Sequence, residues 1–299
     1  MDKEERQMLM NLSTLMPEEL KSEVKRFKHW WLTERYPQLL LLGQETDSYN
    51  FGDGLEYEIR PIDEEKYGYD GVYIKLCGAK KGSKLTGEIL SICDVVTTRA
   101  FYGRKGLTKV ILPFCKTVGN EAFRGCSSLE EVKLDSCTYV AFQSFYQCLK
   151  LRTVSLLSCI KIGAECFKQD FELEKVDAPN LRTIEVEAFV STALREADFP
   201  LVQTLGGLAF SNCEKLVSVN IRTVSKVVPS TFQGCTALKE IRLTCCEHIG
   251  VEAFKGCSSL QKIYLPNVQF IANMAFNGCS SLPKSLKKAP PSKRSERWG

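Results

Sequence analysis

Large apolar side chains recur along this chain with a fixed period. Nine phenylalanines follow one another at intervals of 22 residues, with one interval of 21: Phe101, Phe123, Phe145, Phe167, Phe189, Phe210, Phe232, Phe254 and Phe276. Such a period is typical of a solenoid, because one coil cannot bury its own apolar face and must stack on its neighbours. The chain is therefore predicted to form a solenoid of about nine coils.

Other apolar residues lie at constant offsets from each phenylalanine. Leucine stands at offset six, valine or isoleucine at offset nine, and leucine or isoleucine at offset eleven, as in Leu107, Val110 and Leu112. The pattern L-x-x-V-x-L ends with a period of two, which predicts a short strand with one buried face. A further apolar column at offset seventeen, as in Val118, precedes a segment such as 119–123, which we expect to form a short helical turn packed inward.

These residues resemble the BspA-type (treponemal-type) leucine-rich repeat, in which L-x-x-V-x-L-P precedes V-x-x-I-G-x-x-A-F-x-x-C. Good copies run from Leu107 to Cys126, from Leu238 to Cys257 and from Leu260 to Cys279. The resemblance implies a leucine-rich repeat solenoid, a repetitive α/β fold of short parallel strands and short helical turns. A degenerate opening coil is predicted from Ala79, with Leu85, Leu90, Cys93 and Val96 at offsets six, eleven, fourteen and seventeen.

Three parts of the chain differ in sequence character. Residues 1–78 lack the repeat, residues 79–287 carry it, and residues 288–299 are rich in Lys, Arg, Ser and Pro, which predicts a basic disordered tail. The first part either caps the open end of the solenoid or forms a small helix-plus-hairpin module with its own partner. The tail is interpreted as a solubilising end, with a localisation signal or an acidic-partner patch as the alternative.

Two kinds of element are predicted in the N-terminal part. Pro17 is a helix-start signal, and apolar residues at helical spacing predict one amphipathic helix: Leu20, Val24, Phe27 and Trp31. Alternating apolar residues at 55–59 and 72–76 predict two strands around a turn rich in glycine and aspartate. An amphipathic helix and a hairpin are sufficient to cover the apolar end of a solenoid.

Composition narrows the expected environment and partners. The net charge is +4 and 25% of residues are charged, so no nucleic-acid partner is expected. The first ten residues have no apolar stretch of signal-peptide length, and no run approaches the roughly 20 apolar residues that span a bilayer. We expect an intracellular, cytoplasmic protein with no membrane partner, for which the basic tail offers nuclear localisation as the alternative. Many bacterial proteins of the resembled family are exported instead.

The fourteen cysteines are better explained by packing than by chemistry. Ten of them fall at offset three or fourteen of a coil: Cys126, Cys148, Cys213, Cys235, Cys257 and Cys279, then Cys115, Cys137, Cys159 and Cys246. Neighbouring coils lie about 4.8 Å apart, whereas a disulfide places its Cβ atoms about 3.8 Å apart and facing each other. Buried thiols are expected. With two histidines and no C-x-x-C motif, neither a metal site nor a cofactor is expected.

Candidate binding residues come from the outward positions of the strands. Offsets eight, ten and twelve should point away from the core, along the concave sheet. The candidates are Lys133, Asp177, Glu196, Asp198, Asn220, Arg222, Arg242 and Tyr264. They include an acidic strip followed by arginines and an aromatic residue, which are favoured binding anchors. In the same coils Asp170 and Thr192 replace the cysteine and one residue is deleted, which marks either function or repeat decay.

The resulting hypothesis is a non-enzymatic scaffold that recognises a protein partner on the concave face. No catalytic arrangement of nucleophile, base or metal ligand is visible in the repeats. Two alternatives remain: an exported, adhesin-like surface protein, and a substrate-reading repeat domain attached to a small catalytic module in the N-terminal part.

Overall fold

Short parallel strands, stacked coil upon coil, build most of this structure, a computed structural model that describes residues 3–35, 47–49, 54–61 and 72–283. The chain begins with α1 (Lys3–Leu12), α2 (Pro17–Trp30) and a π-helical turn (Trp31–Arg35), followed by β1 (Asp47–Tyr49), β2 (Leu55–Pro61) and β3 (Val72–Ala79).

Each coil contributes two strands, an even-numbered strand of the major sheet and an odd-numbered strand of the minor sheet. The nine coils hold β4 and β5 (Gly87–Leu90, Val95–Val96), β6 and β7 (Leu107–Ile111, Thr117–Val118), β8 and β9 (Glu131–Lys133, Tyr139–Val140), β10 and β11 (Thr153–Ser155, Lys161–Ile162), β12 and β13 (Lys175–Asp177, Thr183–Ile184), β14 and β15 (Glu196–Asp198, Thr204–Leu205), β16 and β17 (Ser218–Asn220, Lys226–Val227), β18 and β19 (Glu240–Arg242, His248–Ile249), and β20 and β21 (Lys262–Tyr264, Phe270–Ile271). The predicted solenoid of parallel strands is confirmed, as is the opening coil, whose β4 and β5 pair with β6 and β7.

The phenylalanine rings form a continuous stack along the core. Consecutive ring centroids lie 5.1 to 5.4 Å apart, and their planes differ by 3° to 12°. All nine rings are buried. Truncating one buried phenylalanine costs about 3 to 5 kcal/mol, so the stack is a main source of stability.

The turn that carries each phenylalanine is not the short helix that the sequence suggested. Two residues per coil adopt left-handed backbone, as do Glu121 (φ 53°) and Gly125 (φ 72°). The N–H groups at these positions and at the phenylalanine donate to the next coil, as in Glu121 to Phe142 (2.9 Å), Phe123 to Ser144 (2.8 Å) and Gly125 to Tyr146 (2.8 Å). A helix would bond these groups four residues back in the same segment. The turns therefore stack as a hydrogen-bonded ladder.

Free thiols line the interior, as predicted for buried cysteines. All fourteen cysteines are free and twelve are buried. The thiol of Cys126 donates to the carbonyl of Phe101 at 3.2 Å, and the offset-three cysteines Cys148, Cys213, Cys235, Cys257 and Cys279 repeat this contact. Burial raises the pKa of Cys126 to about 12, which keeps the donor proton on the sulfur. Each thiol thus satisfies a buried carbonyl of the preceding coil.

The N-terminal elements cover the first coil. Strand β3 pairs antiparallel with β2, as the predicted hairpin requires, and parallel with β5 of the solenoid. Phe27 of α2 packs on Phe114, with ring centroids 5.5 Å apart, and Lys28 Nζ lies 2.5 Å from Asp94 Oδ1. The predicted boundary at residues 78 and 79 falls inside β3. The side chains of Leu20 and Val24 and the predicted tail lie outside the described residues.

One pair of coils departs from the regular packing. Offset eleven holds leucine or isoleucine in most coils but Ala178 in one and Phe199 in the next. Phe199 is fully buried, and its ring lies 6.0 Å from Phe189 and 6.4 Å from Phe210. The major sheet is interrupted between β12 and β14, and the minor sheet between β15 and β17. Phe199 therefore joins the ring stack between Phe189 and Phe210, at a position where other coils have leucine or isoleucine.

Candidate interaction surface

Buried and exposed residues alternate along the short strands of the major sheet, and this alternation determines which side chains face outward. In β12 the middle residue Val176 is buried while Lys175 and Asp177 are exposed, and in β14 Ala197 is buried between two exposed acids. A strand of three residues with its centre inward directs both flanking side chains to the opposite face. We call the surface formed by these flanking residues of β6 to β20 the major-sheet face.

The structure places seven of the eight predicted residues on this face. Asp177, Glu196, Asp198, Arg242 and Tyr264 are exposed, and Lys133 and Asn220 are half-buried. Arg222 is exposed but lies just beyond the end of β16. Lys133 stands on β8, two strands away from Asp177, and is paired in register with Ser155. The predicted residues therefore share a surface, with Lys133 apart from the rest.

An acidic strip crosses the interruption of the major sheet. Asp177 belongs to β12, and Glu196 and Asp198 belong to β14. Asp198 accepts a hydrogen bond from Asn220 Nδ2 at 2.5 Å. Within the described residues, no Lys or Arg nitrogen lies within 4 Å of these three carboxylates. The strip thus offers exposed acceptors that intramolecular ion pairs do not neutralise.

A basic and aromatic region lies farther along the same face, beyond β16. Arg242 of β18 is in register with Tyr264 of β20. The Arg242 Nε donates to Glu240 Oε1 of the same strand at 2.8 Å; the Arg242 side chain is largely exposed and Glu240 is half-buried. An exposed ion pair of this kind contributes about 0 to 1 kcal/mol, so a partner can replace it at little cost.

One carboxylate on this side of the molecule escaped the sequence prediction. Asp135 is 4% exposed and accepts a short hydrogen bond from the Ser155 hydroxyl. Burial raises the pKa of Asp135, and the nearby charge of Asp177 raises it further. The sequence feature that could have identified Asp135 is its position at offset twelve. Four other coils have proline there: Pro113, Pro179, Pro200 and Pro266.

The repeat geometry agrees with a comparison against protein-family models. The model of the BspA type leucine rich repeat region matches six copies, over residues 94–217 and 160–283. This chain belongs to the BspA-type leucine-rich repeat family. Proteins of this family are commonly surface or interaction proteins and are generally non-enzymatic.

Solved structures of bacterial leucine-rich repeat proteins resemble this BspA-type chain. TpLRR of T. pallidum is 22% identical over 72% of this chain and 85% of its own, with a TM-score of 0.47. The pneumococcal vaccine antigen PcpA is 15% identical over 80% of each chain, with a TM-score of 0.49. A leucine rich cell surface protein of Faecalibacterium prausnitzii is 18% identical over 80% of this chain and 94% of its own, with a TM-score of 0.37. No curated protein matches the sequence.

Three further features concern the described part of this BspA-type repeat protein: metal ligands, membrane-spanning helices and accessible thiols. No three His, Cys, Asp or Glu side chains there come together as a metal site would require. None of the helices described is long and apolar enough to cross a membrane. One cysteine, Cys245, has an exposed thiol, and Cys77 is partly exposed.

Proposed function

We propose that this BspA-type repeat chain is a protein-binding scaffold that recognises its partner through the major-sheet face, the face expected to be concave. The observation that carries the proposal is the unneutralised acidic strip of Asp177, Glu196 and Asp198. Arg242 and Tyr264 follow on the same face, two and three strands beyond β14, and Arg222 lies just past the end of β16. A rigid frame displays these side chains at fixed spacing, so little conformational entropy is lost when a partner binds.

The charge pattern specifies the chemistry of the partner. Lys or Arg side chains of the partner face the acidic strip, and an acidic or hydrogen-bonding group faces Arg242. Complementary charges mainly raise the association rate and the specificity, so binding weakens as salt concentration rises. The half-buried Asn220 of β16 lies between Asp198 and the strand of Arg242, whereas Lys133, two strands from Asp177, lies at the margin of this contact.

Charge reversal tests whether the partner binds to the major-sheet face. The variant carrying Asp177→Lys and Asp198→Lys should lose at least about tenfold in affinity for a partner co-purified with the wild-type chain. A matched control carries Glu214→Lys and Glu247→Lys, which make the same change in net charge at exposed positions off this face. Equal partner recovery by the two variants would contradict the proposed surface.

A further inference from the structure

The turns of the first three coils carry an excess of positive charge. Each turn is counted from two residues before the phenylalanine position to five residues after it, with Ala79 at this position in the opening coil. The first three turns contain one acidic residue, Glu121, and seven basic residues, which we call the basic turn patch: Lys80, Lys81, Lys84, Arg99, Arg104, Lys105 and Arg124. The next three turns contain two basic and four acidic residues. Positive charge is therefore concentrated at one end of the solenoid.

Five cations of the basic turn patch have no intramolecular counter-ion among the described residues. Lys80, Lys81, Lys84 and Lys105 are exposed, and Arg104 is half-buried. In the described part of the chain, no carboxylate oxygen lies within 4 Å of their side-chain nitrogens. Like charges held this close together repel each other, so an anionic ligand that neutralises them is attracted to this surface.

Backbone hydrogen bonds hold the three turns of the patch in fixed positions. Ser83 N donates to Lys80 O at 2.9 Å, which closes a tight turn, and Arg104 Nη1 of the next coil donates to Ser83 O at 3.4 Å. Gly103 N donates in turn to Arg124 O at 2.8 Å. Neighbouring coils lie about 4.8 Å apart, so the cations form rows at a regular spacing.

The patch also shows which anion its arginines bind. Glu121 Oε1 accepts hydrogen bonds from Arg99 Nη2 at 3.0 Å and Arg99 Nε at 3.2 Å, and Glu121 Oε2 accepts one from Arg124 Nη1 at 3.2 Å. The guanidinium groups of Arg99 and Arg124 lie over the Tyr102 ring, 5.7 and 5.8 Å from its centroid, and Arg124 lies 4.7 Å from the centroid of Tyr146. These contacts orient the guanidinium groups towards a carboxylate.

We propose that the basic turn patch binds an acidic polypeptide segment, rich in Asp and Glu, of a partner protein. An extended segment carries several carboxylates and reaches cations on more than one coil, whereas a single small anion reaches only those beside it. Single-stranded nucleic acid is a poorer match, because bases stack on open aromatic rings and two guanidinium groups cover the ring of Tyr102. The patch lies on the turns that precede β4, β6 and β8, so it is a second surface, separate from the acidic strip on β12 and β14.

Fluorescence anisotropy with labelled probes tests this specificity on the full chain. A peptide of alternating Glu and Ser should bind saturably, and its Kd should rise with salt concentration because the contact is between charges. A peptide with Gln in place of Glu should not bind. A thymidine oligonucleotide of the same net charge as the acidic peptide should bind more weakly than that peptide.

Charge reversal at two exposed positions tests the location of the site. The variant carrying Lys81→Glu and Lys105→Glu should raise the Kd for the acidic peptide at least about tenfold. The matched control carries Lys215→Glu and Lys239→Glu, the same change in net charge at exposed positions of later coils, and should stay within about twofold of the wild type. Thermal unfolding checks that both variants fold.

Removal of the carboxylate within the patch gives a test in the opposite direction. Glu121→Gln frees Arg99 and Arg124 for the peptide and should lower its Kd by about 2- to 5-fold. Glu252→Gln is the matched control, because Glu252 occupies the same offset in a later coil and pairs with Lys255 there. It should leave the Kd unchanged.

Four results would overturn the proposal. These are no saturable binding of the acidic peptide by the wild-type chain, equal effects of the two double variants, equal effects of the two glutamine variants, and tighter binding of the oligonucleotide than of the peptide. Sedimentation velocity without peptide adds a fifth: self-association that Lys81→Glu and Lys105→Glu abolish would show that a second copy of the chain occupies the patch.

A separate variant distinguishes this proposal from the proposed function. The variant carrying Asp177→Lys and Asp198→Lys should bind the acidic peptide within about twofold of the wild type at physiological ionic strength, because charges farther apart than about 8 Å are screened there. The variant carrying Lys81→Glu and Lys105→Glu should still recover the partner of the major-sheet face. Failure at one surface therefore leaves the other surface testable.

Discussion

The coils around Phe232 and Phe254 fill the solenoid interior differently from the coils around Phe167 and Phe189. In the first pair, Cys235 and Cys257 donate their thiol protons to the carbonyl of the preceding phenylalanine. In the second pair, Asp170 and Thr192 take the cysteine positions. Both pairs keep the two left-handed residues of each turn. The frame therefore depends on the summed packing of neighbouring coils more than on one residue type at each position.

The irregular pair also contains the interruption of the major sheet and the acidic strip. Asp177 and Asp198 lie on strands that are not paired with each other, whereas the minor-sheet strands β13 and β15 of the same coils are paired. Irregular packing and the candidate surface thus coincide. If side chains of the two irregular coils compensate for each other, substitutions in these coils should have coupled effects on the free energy of unfolding.

Removal of the Phe199 ring should have the largest effect on the free energy of unfolding. Phe199→Ala should lower the free energy of unfolding by about 3 to 5 kcal/mol, because a fully buried ring that packs against Phe189 and Phe210 is lost. Denaturant unfolding measures the change. Phe171→Ala, at a largely exposed ring, is the control and should change stability by less than about 0.5 kcal/mol.

A double variant tests whether the large side chain of Phe199 compensates for the small side chain of Ala178 in the neighbouring coil. The double variant Ala178→Leu and Phe199→Leu restores leucine at offset eleven in both coils with the same total number of side-chain carbons, and it should recover most of the stability lost in Phe199→Ala. If the double variant is as unstable as the single one, Phe199 does not compensate for Ala178.

Asp170 should have the next largest effect. It is fully buried, its Oδ1 accepts the Cys148 N–H at 2.8 Å, and its Oδ2 has no hydrogen-bond partner among the described residues. Asp170→Asn should stabilise the protein by about 1 to 3 kcal/mol at pH 7, because an amide needs no proton to be buried neutral.

The pH dependence of that gain follows from the buried carboxyl. Burial raises the pKa of Asp170 well above its ordinary value, so the folded chain keeps a proton that the unfolded chain releases above about pH 4. The carboxyl therefore favours folding at low pH, and this contribution falls as pH rises towards the folded-state pKa. The advantage of Asp170→Asn should grow between pH 4 and pH 7. A constant advantage, or an equal one from Asp177→Asn, would contradict this account.

Substitution of Ser191, a left-handed residue of the turn, should have the smallest effect on stability. Ser191 has φ 58° at a position where Gly125 and Gly256 stand in regular coils. Ser191→Gly should stabilise the protein by about 1 kcal/mol, because glycine adopts this conformation without a Cβ clash. The reverse change, Gly256→Ser, should destabilise it by a similar amount. Thermal unfolding of both variants checks the sign, and two shifts in the same direction would contradict the explanation.

The 22-residue periodicity of the sequence was sufficient to predict the features that repeat in every coil. The strands, the buried thiols and the opening coil at Ala79 follow from fixed offsets, because each coil meets the same neighbours above and below. The turn was predicted wrongly because its small alanine and large phenylalanine suit a helix as well as a stacked turn. The N–H of Phe123 bonds to Ser144 of the next coil, a contact that no local pattern contains.

The candidate surface was predicted less completely, for a related reason. Alternation in the strands gave the outward direction of Asp177 and Asp198. It could not show that Arg242 pairs with Glu240 on its own strand, or that Ser155 hydrogen bonds to the buried Asp135, because these contacts depend on side-chain conformation and on burial by neighbouring coils.

The amino-acid sequence by itself determined that this chain is a BspA-type leucine-rich repeat solenoid, since 22-residue periodicity leaves the apolar face of each coil no other place to be buried. Asp170, Thr192 and a one-residue deletion mark the irregular coils in the sequence, but only the tertiary structure decided how the chain packs there. The interruption beside the acidic strip and the packing of Phe199 against Phe189 and Phe210 both depend on contacts between coils. Such contacts join residues distant in sequence, so a pattern within one coil cannot specify them.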